Sequence, residues 1–274
     1  MAKAPKTAYV CNDCGAEFSR WQGQCSACKA WNTISEVRLI SASNSTKNDR
    51  FSGYAGETRA KIQTLSEISL QETPRFTSGF KELDRVLGGG IVPGSAILIG
   101  GHPGAGKSTL LLQVMCGLAK NMTALYVTGE ESLQQVAMRA NRLNLPTDKL
   151  NMLSETSVEQ ICNLAEQLKP QIIVVDSIQV MHLSDIQSSP GSVAQVRECA
   201  SFLTRYAKTR QVAIIMVGHV TKDGTLAGPK VLEHAIDCSL LLEGEADSRF
   251  RTLRSHKNRF GCLLYTSDAA DDKA

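Results

Sequence analysis

A glycine-rich segment between an apolar run and a helix-forming run constrains this chain more than any other feature. Residues 101–109 read Gly-His-Pro-Gly-Ala-Gly-Lys-Ser-Thr and fit the phosphate-binding pattern Gly-x-x-x-x-Gly-Lys-Ser. Residues 95–100 have the length and apolar character of a strand, and residues 110–115 favour a helix. A strand, a glycine-rich loop and a helix in this order predict a P-loop. The alternative is a glycine turn that enters a helix and binds no ligand.

The predicted loop supplies the groups that bind a nucleotide triphosphate. Glycines let backbone N–H groups approach phosphate oxygens, and the helix N-terminus adds partial positive charge. Lys107 is expected to reach the β- and γ-phosphates, and Ser108 is expected to offer its hydroxyl to Mg²⁺. The side chain of His102 indicates little, since the loop binds through its backbone. The predicted nucleotide-binding residues of the loop are Gly101, His102, Pro103, Gly104, Ala105, Gly106, Lys107, Ser108 and Thr109.

The chain around this loop alternates apolar runs with helical patterns. Continuous apolar strands separated by helices indicate an α/β fold with a mostly parallel sheet covered on both faces. The predicted strands lie at 95–100, 123–128, 171–176, 212–217 and 239–242, and the helices after the loop lie near 133–143, 158–168 and 193–207. Such sheets bind ligands beyond the carboxyl ends of their strands.

Polar residues follow three of these strands. Asp176 ends one strand in the manner of a Walker B aspartate, and its carboxylate is expected to hold Mg²⁺. Glu130, which precedes Glu131, is expected to activate the water that attacks the γ-phosphate. His219 is expected to sense the γ-phosphate. The alternatives are a capping aspartate, a pair of acids on a solvated helix start, and a structural histidine.

Four cysteines near the N-terminus form two CxxC pairs separated by ten residues. Two such pairs predict a tetrahedral site of four sulfurs, the geometry that Zn²⁺ accepts. So short a segment cannot build its own core, and the metal would provide the folding energy. A redox role is the alternative, but no thioredoxin-like pattern surrounds either pair. The predicted zinc ligands are Cys11, Cys14, Cys25 and Cys28, and the buried, inert thiols are Cys116, Cys162, Cys199, Cys238 and Cys262.

Composition and charge restrict the function classes. The formal net charge is +3, so the chain is not strongly basic, as many nucleic-acid-binding proteins are. No apolar run reaches the roughly 20 residues that cross a bilayer. The first residues also lack the apolar core of a signal peptide. We therefore expect a soluble, cytoplasmic protein without a membrane partner.

With these motifs, the chain resembles the RadA (Sms) family of bacterial DNA-repair proteins, which are relatives of RecA. The resemblance covers roughly residues 8 to 261. It depends on the cysteine pairs, the P-loop and six stretches, of which the last is the most specific: Trp21–Cys25, Thr77–Asp84, Leu87–Gly90, Gly129–Ser132, Pro190–Glu198 and Lys257–Gly261.

The resemblance implies a RecA-like ATPase that uses ATP and Mg²⁺ and carries a Zn²⁺ ribbon. Members of the family form rings, usually homo-hexamers, on single-stranded and branched DNA. They promote branch migration and process recombination intermediates, and a replicative helicase or a recombinase is an expected partner. The alternatives are a nucleotide-gated adaptor, whose ribbon recruits such a partner, and a RecA-like kinase of the clock-protein type. The ribbon and the Lys257–Gly261 pentapeptide disfavour the kinase.

The resemblance also implies roles for residues outside the P-loop. Lys257 and Arg259 would act on the ATP of a neighbouring subunit, although by themselves they indicate only an exposed basic pair. Two pore loops would correspond to roughly 182–191 and 221–230, and Lys222 and Lys230 of the second loop would contact DNA. In a ring, six weakly basic loops would converge, so a modest net charge per chain is compatible with DNA binding.

These features divide the chain into four predicted segments. They are a C4 zinc ribbon at 8–35, a linker at 36–61, a RecA-like ATPase domain at 62–261, and a tail at 262–274. The family continues after its pentapeptide into another strand and a Lon-protease-like domain, whereas the tail is small, acidic and unlike the family. We therefore expect a truncated reading frame with a foreign or out-of-frame tail. A genuine short paralogue is the alternative.

Overall fold

The N-terminal residues form a small antiparallel sheet around the cysteines. This computed structural model describes residues 6–11, 13–39, 75–219, 232, 234–244 and 250–261. Strand β1 spans Lys6–Cys11, β2 spans Glu17–Phe18 and β3 spans Ile34–Leu39. The sheet order is β2-β1-β3. Cys11 and Cys25 are buried with Ile34. These three buried side chains make a very small core, and strands β1 and β3 extend past the predicted limits of 8 and 35.

A seven-stranded sheet forms the centre of the larger unit, in the order β10-β9-β4-β8-β7-β5-β6. Neighbouring strands are parallel except β10, which runs antiparallel to β9. The mostly parallel α/β sheet is therefore confirmed. The strands are β4 Ala96–Gly100, β5 Ala124–Thr128, β6 Asn151–Ser154, β7 Ile172–Asp176, β8 Ala213–Val217, β9 Cys238–Glu243 and β10 Thr252–Asn258.

Helices cover both faces of this sheet. They are α1 Lys81–Val86, α2 Lys107–Leu118, α3 Leu133–Arg142, α4 Val158–Leu168 and α5 Val193–Arg210, with a short 3-10 helix at Ile178–Val180. Alternate strand residues point to opposite faces. Ile97 and Ile99 of β4 therefore pack with α2 and α3, whereas Leu98 packs with α4 and α5. Burial on both sides explains the continuous apolar strands.

The predicted helix and strand positions agree with the structure to within a few residues. Helices α3, α4 and α5 begin after Ser132, Ser157 and Ser192, whose side chains accept hydrogen bonds from the first helical turn. The cysteines at 116, 162, 199 and 238 are buried as predicted, while Cys262 lies outside the described residues. Within the part of the chain that the structure describes, no helix is long and apolar enough to span a membrane.

Candidate functional site

The carboxyl ends of four parallel strands meet at one edge of the large sheet. Strand β4 leads into the glycine-rich loop, β5 is followed by Glu130, β7 ends at Asp176, and β8 is followed by His219. Strands β4, β8, β7 and β5 are consecutive neighbours in the sheet. The structure therefore brings together the loop and the three polar residues that the sequence placed at strand ends.

The glycine-rich loop packs closely against strand β9. A Cβ atom at Gly101 would lie 2.4 Å from the carbonyl oxygen of Leu242, so a larger residue does not fit there. Gly106 has a φ of 98°, which favours glycine, and it is the N-cap of α2. At Gly104 and Gly106, by contrast, a Cβ atom would meet nothing within 4 Å. The loop is therefore fixed on its β9 side and open at these two glycines, as an anion cradle requires.

Lys107, the first residue of α2, is 4% exposed. Its ammonium donates hydrogen bonds to the carbonyl oxygens of Gly101 at 2.7 Å and His102 at 2.9 Å. Burial lowers the pKa of Lys107, and the negative charges of Asp176 and Glu130 oppose that shift. The ammonium therefore lies over the loop and within the electrostatic field of both carboxylates.

Asp176 is 8% exposed and has two hydroxyl donors. The buried Tyr126 hydroxyl donates to Asp176 Oδ2 at 2.6 Å, and Ser108 also bonds to this carboxylate. Burial raises the pKa of Asp176, the two hydroxyls lower it, and the charge of Glu130 raises it further. Burial and the charge of Asp176 raise the pKa of Tyr126, which keeps its hydroxyl protonated as a donor. Asp176 and Ser108 thus form a pair of oxygen ligands suited to Mg²⁺.

The two adjacent glutamates have different surroundings. Glu131 forms an ion pair with Arg139 of α3. Glu130 instead accepts a hydrogen bond from the Ser177 hydroxyl, and its Oε1 lies 3.2 Å from His219 Nε2. His219 Nδ1 is buried and has no hydrogen-bond partner among the described residues. Only Glu130 therefore turns toward the strand ends where the phosphates are expected.

Sequence reasoning missed Tyr126 and Ser177. Tyr126 lies inside an apolar strand pattern, where an aromatic side chain is usually core. Tyr126 lies two residues before the end of β5. It pairs with Val174, which lies two residues before Asp176 on β7. Residues two positions apart on a strand, and their partners on the adjacent strand, lie on the same face of the sheet. This register could therefore have indicated the contact between Tyr126 and Asp176 once the strand order was known.

The four predicted zinc ligands converge. Their sulfur atoms all lie within 4.8 Å of one another. Cys11 Sγ is 3.7 Å from Cys28 Sγ, and Cys14 Sγ is 3.5 Å from Cys25 Sγ. A tetrahedron with metal–sulfur bonds of about 2.3 Å has edges of about 3.8 Å, close to these two distances. The residues therefore fit a four-sulfur metal site.

The thiol pKa values of this site are shifted in opposite directions. Against hydrogen bonds from the backbone of Ala16 and Ala30, burial and contacts with neighbouring thiols raise the pKa values of Cys14 and Cys28. Burial raises the pKa of Cys11, but hydrogen bonds from the Thr33 side chain and from the backbone of Cys14 and Asp13 outweigh it and lower the pKa to about 6. Thiolates are the form that binds metal. The two CxxC pairs also make the same backbone hydrogen bond. The Cys11 N–H donates to the Ala16 carbonyl and the Cys25 N–H donates to the Ala30 carbonyl, each at 2.9 Å.

The cations of the Lys257–Gly261 pentapeptide lie away from the P-loop of their own chain. Lys257 pairs with Ser239 at the start of β9, whereas Gly101 approaches Leu242 near the end of β9. Three residues of strand span about 10 Å. Arg259 follows beyond the end of β10 and extends this separation. The pentapeptide thus lies toward the amino ends of the parallel strands, opposite the edge that carries Asp176.

The other residues of the pentapeptide attach it to the loop after α1. Asn258 Nδ2 donates to the Val86 carbonyl at 3.3 Å, and the Phe260 N–H donates to Asn258 Oδ1 at 2.9 Å. A Cβ atom at Gly261 would lie 3.0 Å from the Cα of Gly88. Arg75, which lies far away in sequence, donates to the Phe260 carbonyl at 2.5 Å and the Gly88 carbonyl at 2.6 Å. Each non-cationic residue of the pentapeptide therefore serves the docking of this turn.

The two predicted pore loops differ in what the structure describes. Residues 221–230, with Lys222 and Lys230, lie outside the described residues. Residues 182–191 are described, and this segment contains no lysine or arginine. The buried side chain of Gln195 bonds to the backbone of this segment, with its amide nitrogen 2.9 Å from the Ile186 carbonyl and 3.0 Å from the Ser188 carbonyl. Gln195 thus anchors the backbone of the first predicted loop from inside the domain.

Comparison with known families identifies both units. Residues 61–225 match the family described as AAA domain, and residues 9–36 match the rubredoxin metal binding domain. The chain belongs to the AAA domain family. Strands β4 to β8 and the P-loop that follows β4 lie within the first match, and the second match contains the four convergent cysteines of the ribbon.

Three curated relatives from different bacteria share one name. DNA repair protein RadA of Haemophilus influenzae is 93% identical over 263 residues, covering 96% of this chain and 57% of that protein. The Escherichia coli RadA is 74% identical over 96% of this chain and 57% of its own length. The Bacillus subtilis RadA is 47% identical over 95% and 57%, respectively. The predicted resemblance to RadA is confirmed, and the chain spans slightly more than half the length of these relatives.

A solved structure shows the same fold at low identity. A KaiC-like protein from Pyrococcus horikoshii aligns with a TM-score of 0.57 at 18% identity, covering 69% of this chain and 90% of that one. This agreement supports the RecA-like architecture of the AAA domain.

Proposed function

We propose that this chain is a DNA-dependent ATPase that acts in DNA repair and homologous recombination. In this proposal it works as a ring-shaped motor on single-stranded DNA and promotes branch migration and the processing of recombination intermediates. The observation that carries the ATPase proposal is the meeting of Lys107, Asp176 and Glu130 at one sheet edge. The name shared by the relatives supports DNA as the substrate.

Each site residue has a distinct part in hydrolysis. The backbone of residues 101–109 holds the phosphates, and Lys107 exchanges its loop carbonyl partners for phosphate oxygens. Ser108 and Asp176 would hold Mg²⁺, which when bound would neutralise phosphate charge. Glu130 orients and deprotonates the attacking water, while His219, bonded to Glu130 at 3.2 Å, senses the γ-phosphate.

The position of the pentapeptide supports a site completed between subunits. Lys257 and Arg259 lie toward the opposite end of the strands from their own P-loop, so in this proposal the ATP they contact belongs to a neighbour. A cation supplied from another subunit stabilises transition-state charge only after assembly. We propose a homo-hexameric ring in which Lys222 and Lys230 face the DNA. The metal of the ribbon is proposed to be Zn²⁺.

ATP turnover over a titration of single-stranded DNA tests the motor. We expect DNA to raise turnover and Lys107→Ala to abolish it. Glu130→Gln should lower kcat by about 10²–10⁴-fold, the usual contribution of a general base, while ATP still binds. Glu131→Gln is the matched control, because Glu131 pairs with Arg139 and should affect stability without stopping hydrolysis. Turnover that does not respond to DNA would contradict the motor.

A second function is favoured by one surface of the ribbon. Trp21 is 57% exposed and Trp31 is 68% exposed, and both rings would lie within 4 Å of a Cβ at Gly23. Exposed tryptophans are common centres of protein interfaces. In the adaptor function, this surface recruits a replicative helicase or a recombinase while ATP acts as a switch. Loss of partner binding in Cys28→Ser, with ATPase intact, would assign recruitment to the ribbon.

A further inference from the structure

A buried carboxylate lies beside the pentapeptide and outside the nucleotide site. Asp237, the residue before β9, is 1% exposed. Its Oδ2 accepts a hydrogen bond from the Ala96 N–H at 3.0 Å, and its own N–H donates to the Ala96 carbonyl at 2.9 Å. Ala96 begins β4, the strand that ends in the P-loop. Asp237 is therefore fixed to the first residue of β4, at the end of this strand opposite to the P-loop.

Two cations share the remaining oxygen of this carboxylate. Lys208 of α5 donates to Asp237 Oδ1 at 2.8 Å, and Arg259 Nη1 donates to the same atom at 3.4 Å. Lys208 alone balances the charge of the carboxylate, so the cluster keeps one positive charge in excess. The Arg259 side chain is 47% exposed, which places this excess charge at the surface.

The backbone around Asp237 orders both cations of the pentapeptide. Arg259 N–H donates to the Asp237 carbonyl at 3.0 Å, and its Nη2 donates to the His234 carbonyl at 3.2 Å. Lys257 Nζ donates to the Ile236 carbonyl at 2.7 Å. An arginine side chain that already has two partners, here Asp237 Oδ1 and the His234 carbonyl, loses less side-chain entropy when it meets an anion, because much of its freedom is already gone.

We propose that Asp237 is a positioning residue for catalysis between subunits: it holds Arg259 in place so that the guanidinium meets the ATP of the neighbouring protomer. This inference rests on the proposed ring. Asp237 itself touches neither the nucleotide nor the neighbouring subunit. Its sequence signal is weak, since an aspartate before an apolar strand usually indicates a turn.

The test compares Asp237→Asn with Arg259→Ala in this chain. Asparagine keeps the size of the side chain and an oxygen for the Ala96 N–H, but it removes the charge that attracts Arg259. Displacement of a catalytic group by about 1 Å can cost about 10²-fold in rate. We therefore expect Asp237→Asn to lower kcat by about 10- to 100-fold with little change in KM for ATP. The double variant should turn over as slowly as Arg259→Ala alone.

Glu243→Gln is the matched control. Glu243 is a carboxylate on β9 that pairs with Arg254 on β10 at 3.2 Å, so this change breaks an acid–arginine pair on the same hairpin. It should leave kcat unchanged. Thermal unfolding of each variant shows whether it is folded, and Asp237→Ser, which keeps a hydroxyl acceptor, replaces Asp237→Asn if the latter does not fold.

The outcomes separate this inference from the proposed function. If Arg259→Ala retains full turnover, both the completion of the site between subunits and the role of Asp237 are wrong. If Arg259→Ala slows turnover and Asp237→Asn slows it equally in the wild type and in the Arg259→Ala background, only the role of Asp237 is overturned. Non-additive loss with a folded protein supports it.

Discussion

Replacing Tyr126 by phenylalanine removes one hydrogen bond at the centre of the nucleotide site and leaves packing unchanged. The Tyr126 side chain is fully buried, and its hydroxyl donates to Asp176 Oδ2 at 2.6 Å. A hydrogen bond to a charged group contributes about 1.5–3 kcal/mol, and phenylalanine leaves no cavity. We expect Tyr126→Phe to lower the free energy of unfolding by about 2 kcal/mol. For a domain of this size that corresponds to a Tm lower by about 4–8 °C.

The pH dependence gives this prediction a sign. Burial raises the folded-state pKa of Asp176 above its ordinary value of 3.8, and Tyr126 partly opposes that shift. A raised carboxyl pKa stabilises the fold at pH values below 3.8, and this contribution is lost as pH rises through the folded-state pKa. Tyr126→Phe raises that pKa further. The difference between variant and wild type should therefore be larger at about pH 7.5 than at about pH 4.5.

Urea unfolding followed by far-UV circular dichroism at both pH values, without nucleotide, measures this difference. The m-value should not change, because the surface exposed on unfolding is the same. Tyr206→Phe is the control: Tyr206 is half-buried and bonds to the exposed Glu166, so its loss should stay below about 1 kcal/mol. An equal loss at both pH values would refute the proposed link to Asp176, as would a loss no larger than the control.

Three further changes have expected outcomes. Gly101→Ala should abolish ATP binding in a fluorescent-nucleotide assay, since its Cβ would lie 2.4 Å from a β9 carbonyl oxygen. As a control, Gly117→Ala in helix α2 should raise the free energy of unfolding by about 0.5–1 kcal/mol, because a Cβ there meets nothing within 4 Å. Cys25→Ser should lose the bound metal in elemental analysis and expose the ribbon to proteolysis. Cys116→Ser, which changes a buried thiol outside the ribbon, should keep the metal. Equal metal content in both variants would contradict the four-sulfur site. Ser132→Ala should lower the unfolding free energy by about 1 kcal/mol in urea titrations, because its side chain caps α3, and no change would show that the capping box is not formed in solution.

Contacts between distant strands were beyond the reach of sequence patterns. Nothing in the sequence ties Tyr126 to Asp176, Ser177 to Glu130, or Asp237 to Arg259, because each pair forms only when the strand order is set. The order β10-β9-β4-β8-β7-β5 places these residues side by side. Of the two adjacent glutamates, the sequence favoured Glu130 as the base, and packing pairs the other, Glu131, with Arg139 on α3.

Two edge strands were also missed, for a related reason. Strand β10 alternates between exposed and half-buried residues, and no residue of β6 is fully buried. An edge strand pairs with another strand on one side only, and its residues are less buried. Its composition is therefore less apolar, and its hydrophobic pattern in the sequence is weaker. The buried central strands, which helices cover on both faces, had no such ambiguity.

The sequence by itself determined the local features of this protein: the P-loop, the two CxxC pairs, and the apolar strands with helices between them. Each of these depends on residues close together in the chain, where glycine conformation, ligand spacing and burial leave few alternatives. The tertiary structure alone decided which side chains contact Glu130 and Glu131, which hydroxyls support Asp176, and toward which end of the strands the pentapeptide cations lie. Those outcomes depend on how strands far apart in sequence pack into one sheet, which local propensity does not encode.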